Sequence, residues 1–445
     1  TFAHAEEYLA KLKEHKVLVD QEARKELIRK QLKAIEAERG VQVVEAERVL
    51  KEVVHLSEWP NLTVAAFDKS FLRAPKELLV SEMIEHQKYF PLQDEKGTLL
   101  PLFVITADQV PTDKIRHGNV KVLSARLSDG VFLYDQDLSH TLEEFNEKLK
   151  SITFQKELGT LWDKVERLKK HATVLQKAFP ALSVEECKRA AHLSKFDLAS
   201  ASVGEFPDLQ GLMGRYIATE KGEPEAIVQA IEESWLPKGD KSPLPESPLG
   251  ALLSLADKVD NLLGCYSAGL KPTSSSDPYA LRRQAMGLIK IVLDKELLLS
   301  LSTLLQECSS HFAKGLDPET LQEVLLFIQK RLESVLQERG FQKDEIEASL
   351  ATGVDDLFEA FRKVEALRTF RDSSEELPLL IEVYKRARGQ VADFAPQKIV
   401  AESLKESSEK ALFEALQKVE KGLSPLLQEK RYLEAFQLAA TLQSP

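Results

Sequence analysis

The sequence predicts a predominantly α, multidomain protein with an α+β unit at its N-terminus. Three observations carry this. The chain has 445 residues, enough for two to four domains at roughly 100 to 200 residues each. Its first third mixes alternating and helical patterns, and from about Gln155 onward only amphipathic segments follow one another between turn residues.

The elements follow in order. Asp20 is placed to cap a helix in which Leu27, Ile28, Leu32 and Ile35 recur at helical spacing until Gly40 ends it. Thr63 to Phe67 reads as a strand, and Pro75 opens a helix running through His86. Tyr89 to Gln93 and Leu99 to Thr106 flank Asp94-Glu95-Lys96-Gly97, the pattern of a hairpin. A helix over roughly Lys114 to Arg126 and a strand over Gly130 to Tyr134 complete the unit. In the helical part, the Pro-rich stretch 237–248 joins two helices, and Asp277 is expected to cap a helix with Pro278 at its first position.

Composition excludes several classes. Hydrophobic residues at 43% and charged residues at 29% describe an ordinary globular chain. With 60 Lys and Arg against 71 Asp and Glu, the net charge of -11 points away from nucleic acid unless local basic patches supply it. Cys187, Cys265 and Cys308 lie far apart with no CxxC pair, so no disulfide framework or zinc knuckle is expected and the compartment is expected to be reducing. Apolar runs such as Leu249 to Leu255 fall short of a membrane span, and no signal peptide is visible, so a cytoplasmic protein without membrane contact is expected. The chain starts at Thr1 without Met and ends at Pro445 after an amphipathic pattern with no stop signal, which reads as a piece of a longer protein.

No catalytic fingerprint is present: there is no glycine-rich phosphate loop, GxSxG elbow, HExxH, HIGH or KMSKS. No two of the nine His lie three or four apart as a helical metal pair, so no metal site is expected. One constellation resembles the HD phosphohydrolase superfamily: Lys195-Phe196-Asp197, followed by Leu255-Ala256-Asp257-Lys258. Phe196 stands where the dyad's His would be, and a phenyl ring has no lone pair to give a metal, so Asp197 and Asp257 alone would make a poor site. The blander reading is an HD-like helical fold kept as scaffold or RNA-binding surface.

Two basic stretches suggest phosphate contact. Lys114 to Arg126 carries four cations and no acid, with Arg116, Lys121 and Arg126 spaced so that only part of the set shares a helical face. Arg362, Lys363, Arg368 and Arg371 lie on one helical segment, and Tyr384-Lys385-Arg386-Ala387-Arg388 sets three cations beside an aromatic ring, able to hold phosphates and stack on an unpaired base. The competing reading is ordinary snorkelling on a helical surface.

The run Val203-Gly204-Glu205-Phe206-Pro207-Asp208-Leu209-Gln210-Gly211-Leu212-Met213-Gly214-Arg215-Tyr216 resembles the β subunit of the bacterial heterotetrameric glycyl-tRNA synthetases. So do Glu85 to Pro91, Ala125 to Asp129, Phe154 to Leu161, Leu255 to Asp260, Gly269 to Thr273 and Asp277 to Arg283, in the family's order along nearly the whole chain. The resemblance implies a noncatalytic chain that binds and positions tRNA(Gly), while an α subunit, or a fused α region, forms glycyl-adenylate with ATP and Mg. No cofactor is then expected in this chain. It also implies an N-terminal region over 1–154, an HD-like helical domain over 155–300, a helical linker or body over 301–352 and, over 353–445, the start of an anticodon-binding domain like that of arginyl-tRNA synthetase. The family commonly has a small residue where Phe196 stands. Together with the basic stretches, the resemblance nominates Arg116, Lys121, Arg126, Arg282, Arg283, Arg362, Lys363, Tyr384, Lys385, Arg386 and Arg388 as tRNA contacts. A metal-dependent HD-type phosphohydrolase is the alternative, and a helical scaffold without RNA contact is a third reading.

Overall fold

A computed structural model describes residues 4–373, 376–391 and 401–443. They form two compact units: residues up to 153 together with 193–232, and residues 154–192 together with 233–445. Twenty α-helices and two small sheets are present among the described residues, the predominantly α architecture the patterns predict.

The first unit is built on an antiparallel sheet of β1 (Gln42–Val43), β2 (Asn61–Ala66), β3 (Phe90–Gln93) and β4 (Leu99–Ala107), in the order β1-β3-β4-β2. β2 and β4 run in continuous register from Asn61 opposite Ala107 to Ala66 opposite Leu102. The hairpin between β3 and β4 forms because Asp94 Oδ1 accepts from the N–H groups of Lys96 (2.9 Å) and Thr98 (2.8 Å), while Gly97 takes φ +82°. Helix Gln21–Arg39 starts and stops as its residues dictate. The Asp20 carboxylate accepts from the Glu22 N–H at 2.9 Å, and Gly40 closes the helix in the left-handed region. The helix opened by Pro75 runs over Lys76–Ser81 and continues as a π-helical turn, Glu82–His86.

In this unit one expectation is overturned. Gly130 to Tyr134 is no strand; a single helix covers Asp113–Ser139. Its buried positions Leu123, Leu127, Val131 and Tyr134 recur at steps of four, four and three, so the apolar run Val131-Phe132-Leu133-Tyr134 continues a helical stripe. Near its C-terminus the buried Asp137 carboxylate accepts from the N–H groups of Ala201 (2.7 Å) and Ser202 (2.9 Å), capping helix Ala201–Glu205 from another segment.

The second unit centres on helix Pro248–Ser267, buried on nearly every side and packed against helices Leu161–Leu175, Leu281–Asp294, Leu301–Ser309 and Pro318–Glu338. Ser247 caps it, with Pro248 at its first position. The helix after Asp277 begins later than expected, at Leu281, so Pro278 lies outside it. Asp277 still caps it from a distance, accepting from the N–H groups of Leu281 (2.8 Å) and Arg282 (3.0 Å). Cys187, Cys265 and Cys308 are buried free thiols. No described helix is long and apolar enough to cross a membrane.

Candidate nucleic-acid interface

The basic stretches divide once they are folded. On helix Asp113–Ser139, Lys114 and Lys121 project roughly 20° apart at 3.6 residues per turn, while Arg116 and Arg126 point elsewhere. Arg116 is committed, to Asp113 and to the Thr63 hydroxyl at 3.4 Å. Lys121 and Arg126 are exposed.

The C-terminal cations divide in the same way. On helix Leu357–Ser373, Arg362 donates to the Lys430 carbonyl (3.3 Å) and lines a cleft of about 590 Å³ with Arg339, Phe358 and Phe361, into which Asp294, Glu296 and Glu365 also project. Three carboxylates against two guanidiniums leave that cleft without a net attraction for phosphate. Lys363 pairs with Glu359 at 3.3 Å and stands over the Tyr432 ring, Arg368 over Phe341, and Arg371 pairs with Glu345 at 2.5 Å. Helix Glu376–Val391 is different. Tyr384, Lys385 and Arg388 fall within roughly 100° of one another and are exposed, whereas Arg386 lies on the opposite side, paired with Glu382. Arg282 is bound to the Thr273 carbonyl and lies 3.9 Å from Asp277, leaving Arg283 exposed beside it. The cations best placed to meet phosphate are therefore Lys121, Arg126, Arg283, Lys385 and Arg388.

Within each unit, segments that carry the family resemblance come together. In the first unit the buried Glu82 carboxyl lies 3.7 Å from His86 Nε2, which lies 3.8 Å from Glu205 and edge-on to Phe206. Segments 85–91, 125–129 and 203–216 thus meet around one carboxyl. Burial pushes Glu82 up to about 7; Arg126 opposes the rise, and Asp129 and Glu205 add to it. Because the unfolded value is about 4.3, the folded chain takes up a proton between these values. The associated stability is present below pH ~4 and is lost as pH rises through about 7. Glu82→Gln is therefore expected to raise the melting temperature at pH 8 much more than at pH 5, and equal shifts at both pH values would refute this.

Each HD-like position has structural partners within its own unit. Phe196 is fully buried against Phe145, with ring centroids 5.6 Å apart. Asp197 Oδ2 accepts from the N–H groups of Gly211 (2.5 Å) and Gly214 (3.2 Å) at the start of helix Leu212–Glu220. Asp257 lies 3.1 Å from Lys164 Nζ and accepts from the Asn261 side chain at 3.1 Å. The phosphohydrolase alternative finds no support.

A buried polar cluster went unseen in the sequence. Asp260 is fully buried in helix Pro248–Ser267 and meets three side chains of helix Leu161–Leu175: Lys164 at 3.0 Å, Arg167 at 2.7 and 3.1 Å, and His171 at 3.3 Å. Burial opposes its ionisation, yet Lys164, His171 and Arg167 together hold the carboxyl well below the usual range. Arg167 also donates to the Leu158 carbonyl at 3.1 Å, tying segment 154–161 to segment 255–260. The only signal was three polar residues at steps of three and four, Lys164, Arg167 and His171, on one helical face.

The sequence model of the family described as glycyl-tRNA synthetase beta subunit matches residues 1–351. The glycine–tRNA ligase beta subunit of Trichlorobacter lovleyi is 38% identical over 439 residues, covering 98% of this chain and 63% of that protein. That of Syntrophomonas wolfei is 39% identical over 448 residues, covering 99% and 64%, and that of Dichelobacter nodosus is 36% identical over 447 residues, covering 99% and 65%. The chain spans less than two thirds of the length of these relatives. On the family match and on similarity sustained from end to end, the chain belongs to the glycyl-tRNA synthetase beta subunit family.

Proposed function

We propose that this chain is the noncatalytic, tRNA-binding part of a glycine–tRNA ligase, holding tRNA(Gly) for an active site carried by an α subunit or a fused α region. That partner uses ATP and Mg to activate glycine, and the assembly works in the cytoplasm. In this reading 1–154 is the N-terminal region, 155–300 an HD-like domain kept as scaffold, 301–352 a helical linker and 353–445 the start of an anticodon-binding domain. The observation that carries the proposal is the family match over residues 1–351. The exposed Lys121, Arg126, Arg283, Lys385 and Arg388, on an otherwise acidic chain, supply the electrostatic footing.

The test is a binding titration with glycine tRNA and an unrelated tRNA over a range of salt. Preference for glycine tRNA is expected, with affinity falling steeply as salt rises because phosphate contacts release counterions. Replacing Lys121, Arg126, Lys385 and Arg388 together by Ala is expected to lower the salt slope by about three to four. Arg386→Ala, whose side chain is paired with Glu382, is expected to change it least. Equal affinity for both tRNAs in the complete enzyme would sink the proposal. Glycylation by that enzyme unchanged in the quadruple variant would favour the scaffold reading.

A further inference from the structure

We propose that His171, Cys308 and His311 form a zinc site that clamps helix Leu161–Leu175 to the end of helix Leu301–Ser309. One ligand atom from each residue lies within 4.8 Å of the other two, the atoms being imidazole nitrogens and the Cys308 sulfur. The Nδ1 atoms of His171 and His311 approach to 2.9 Å across 140 residues of sequence. Two imidazoles and a thiolate are a donor set that suits zinc. Bonds of about 2.0 Å to nitrogen and 2.3 Å to sulfur place tetrahedral ligand atoms roughly 3.3 to 3.6 Å apart. The two nitrogens would therefore part by about half an ångström and no pair would close by more than about 1.5 Å, which are rotamer-scale movements.

The surroundings fit a metal ligand set better than a chance pairing. His171 Nε2 faces Asp260 Oδ1 at 3.3 Å, the carboxylate–histidine arrangement that holds the ring's proton on Nε2 and leaves Nδ1 as a lone pair. That lone pair is aimed at His311. Asp260 is itself fixed by Lys164 and Arg167, so the His171 ring is oriented by groups that would not move on metal binding. Cys308 and His311 are held three residues apart where the helix ends, the His311 N–H donating to the Cys308 carbonyl at 3.1 Å. Phe312 packs on His171, with ring centroids 6.0 Å apart, and walls the site on that side. His171 and Cys308 are fully buried, whereas His311 is partly exposed and offers an entry path. Three protein ligands leave a fourth position for a water molecule.

The experiment is metal analysis of the purified 445-residue chain, followed by titration of the chelator-stripped chain with cobalt(II). One zinc per chain, or saturable uptake of one cobalt with a thiolate-to-metal charge-transfer band and a tetrahedral visible spectrum, is expected. Cys308→Ser is expected to abolish the charge-transfer band. His311→Gln, at the partly exposed ligand, is expected to keep the circular dichroism spectrum while weakening cobalt binding by more than about a hundredfold, beyond the range that loss of an outer-shell partner gives. Zinc is expected to raise the melting temperature of the stripped chain and to raise that of His311→Gln less at the same zinc concentration. Absence of saturable metal uptake, or a folded Cys308→Ser or His311→Gln variant that binds as the parent does, would overturn the site and leave a hydrogen-bonded histidine pair.

Discussion

Asp260→Ala is expected to destabilise the helical unit by about 3–5 kcal/mol, because it leaves Arg167 buried without its counter-charge and Lys164 with Asp257 alone. Lys164 is 3% exposed and Arg167 7%, so water cannot replace the lost carboxylate without opening the packing between helices Leu161–Leu175 and Pro248–Ser267. The cost reports the stranded cations rather than the worth of the pair, since ionising and burying all the partners was itself unfavourable. A triple replacement of Lys164, Arg167 and Asp260 by apolar residues of similar volume is accordingly expected to recover most of the loss. Calorimetry of the two variants checks this. A fall of less than about 1 kcal/mol for Asp260→Ala would mean that the cations find other partners.

The same cluster shows which parts of the molecule were legible beforehand. Signals that act within a few residues were readable: Asp20 and Gly40 bound a helix, Asp94 and Gly97 turn a hairpin, and the apolar periodicity after Gln155 gives helices, the two-residue strand Gly159–Thr160 apart. Where two periods competed within a short run, the reading failed. Val131 to Tyr134 is apolar enough for a strand, but its alignment with Leu123 and Leu127 on one stripe decides for helix, as only a longer window reveals. Long-range constellations were invisible because their members are brought together by folding. Asp260 meets His171 across 89 residues, and His171 meets His311 across 140. Cys308 and His311 stand three apart, but as a cysteine and a histidine they do not form the histidine pair that marks a helical metal site. Among the nominated tRNA contacts, spacing placed cations on helices correctly but could not say which were already spent: Arg116 on Asp113, Lys363 on Glu359 and Arg386 on Glu382 are ion pairs within one turn.

For Asp197 the expected results separate a structural carboxyl from a chemical one. Asp197→Ala removes the acceptor of the Gly211 and Gly214 N–H groups, two buried donors at a helix start, and is expected to cost about 2–4 kcal/mol. Asp197→Asn keeps a carbonyl oxygen of the same reach. Burial raises the Asp197 carboxyl above its ordinary value, against the opposing N–H groups of Gly211 and Gly214 and the Lys195 charge, so the charge is not what the site rewards. The amide is therefore expected to cost no more than about 1 kcal/mol. The glycines of the motif answer to the same geometry. Gly211 takes φ +82°, and a Cβ at Gly214 would fall 2.8 Å from Ile231 Cγ2 and 3.1 Å from the Asp197 carboxyl carbon. Gly214→Ala is thus expected to push Asp197 off its two donors and to approach the cost of Asp197→Ala, without adding to it in the double variant, because both lesions break one contact. Additive losses measured by thermal unfolding would show that the glycine and the carboxyl act separately. An Asp197→Asn variant as damaged as Asp197→Ala would show that the charge, and not the acceptor alone, holds this position.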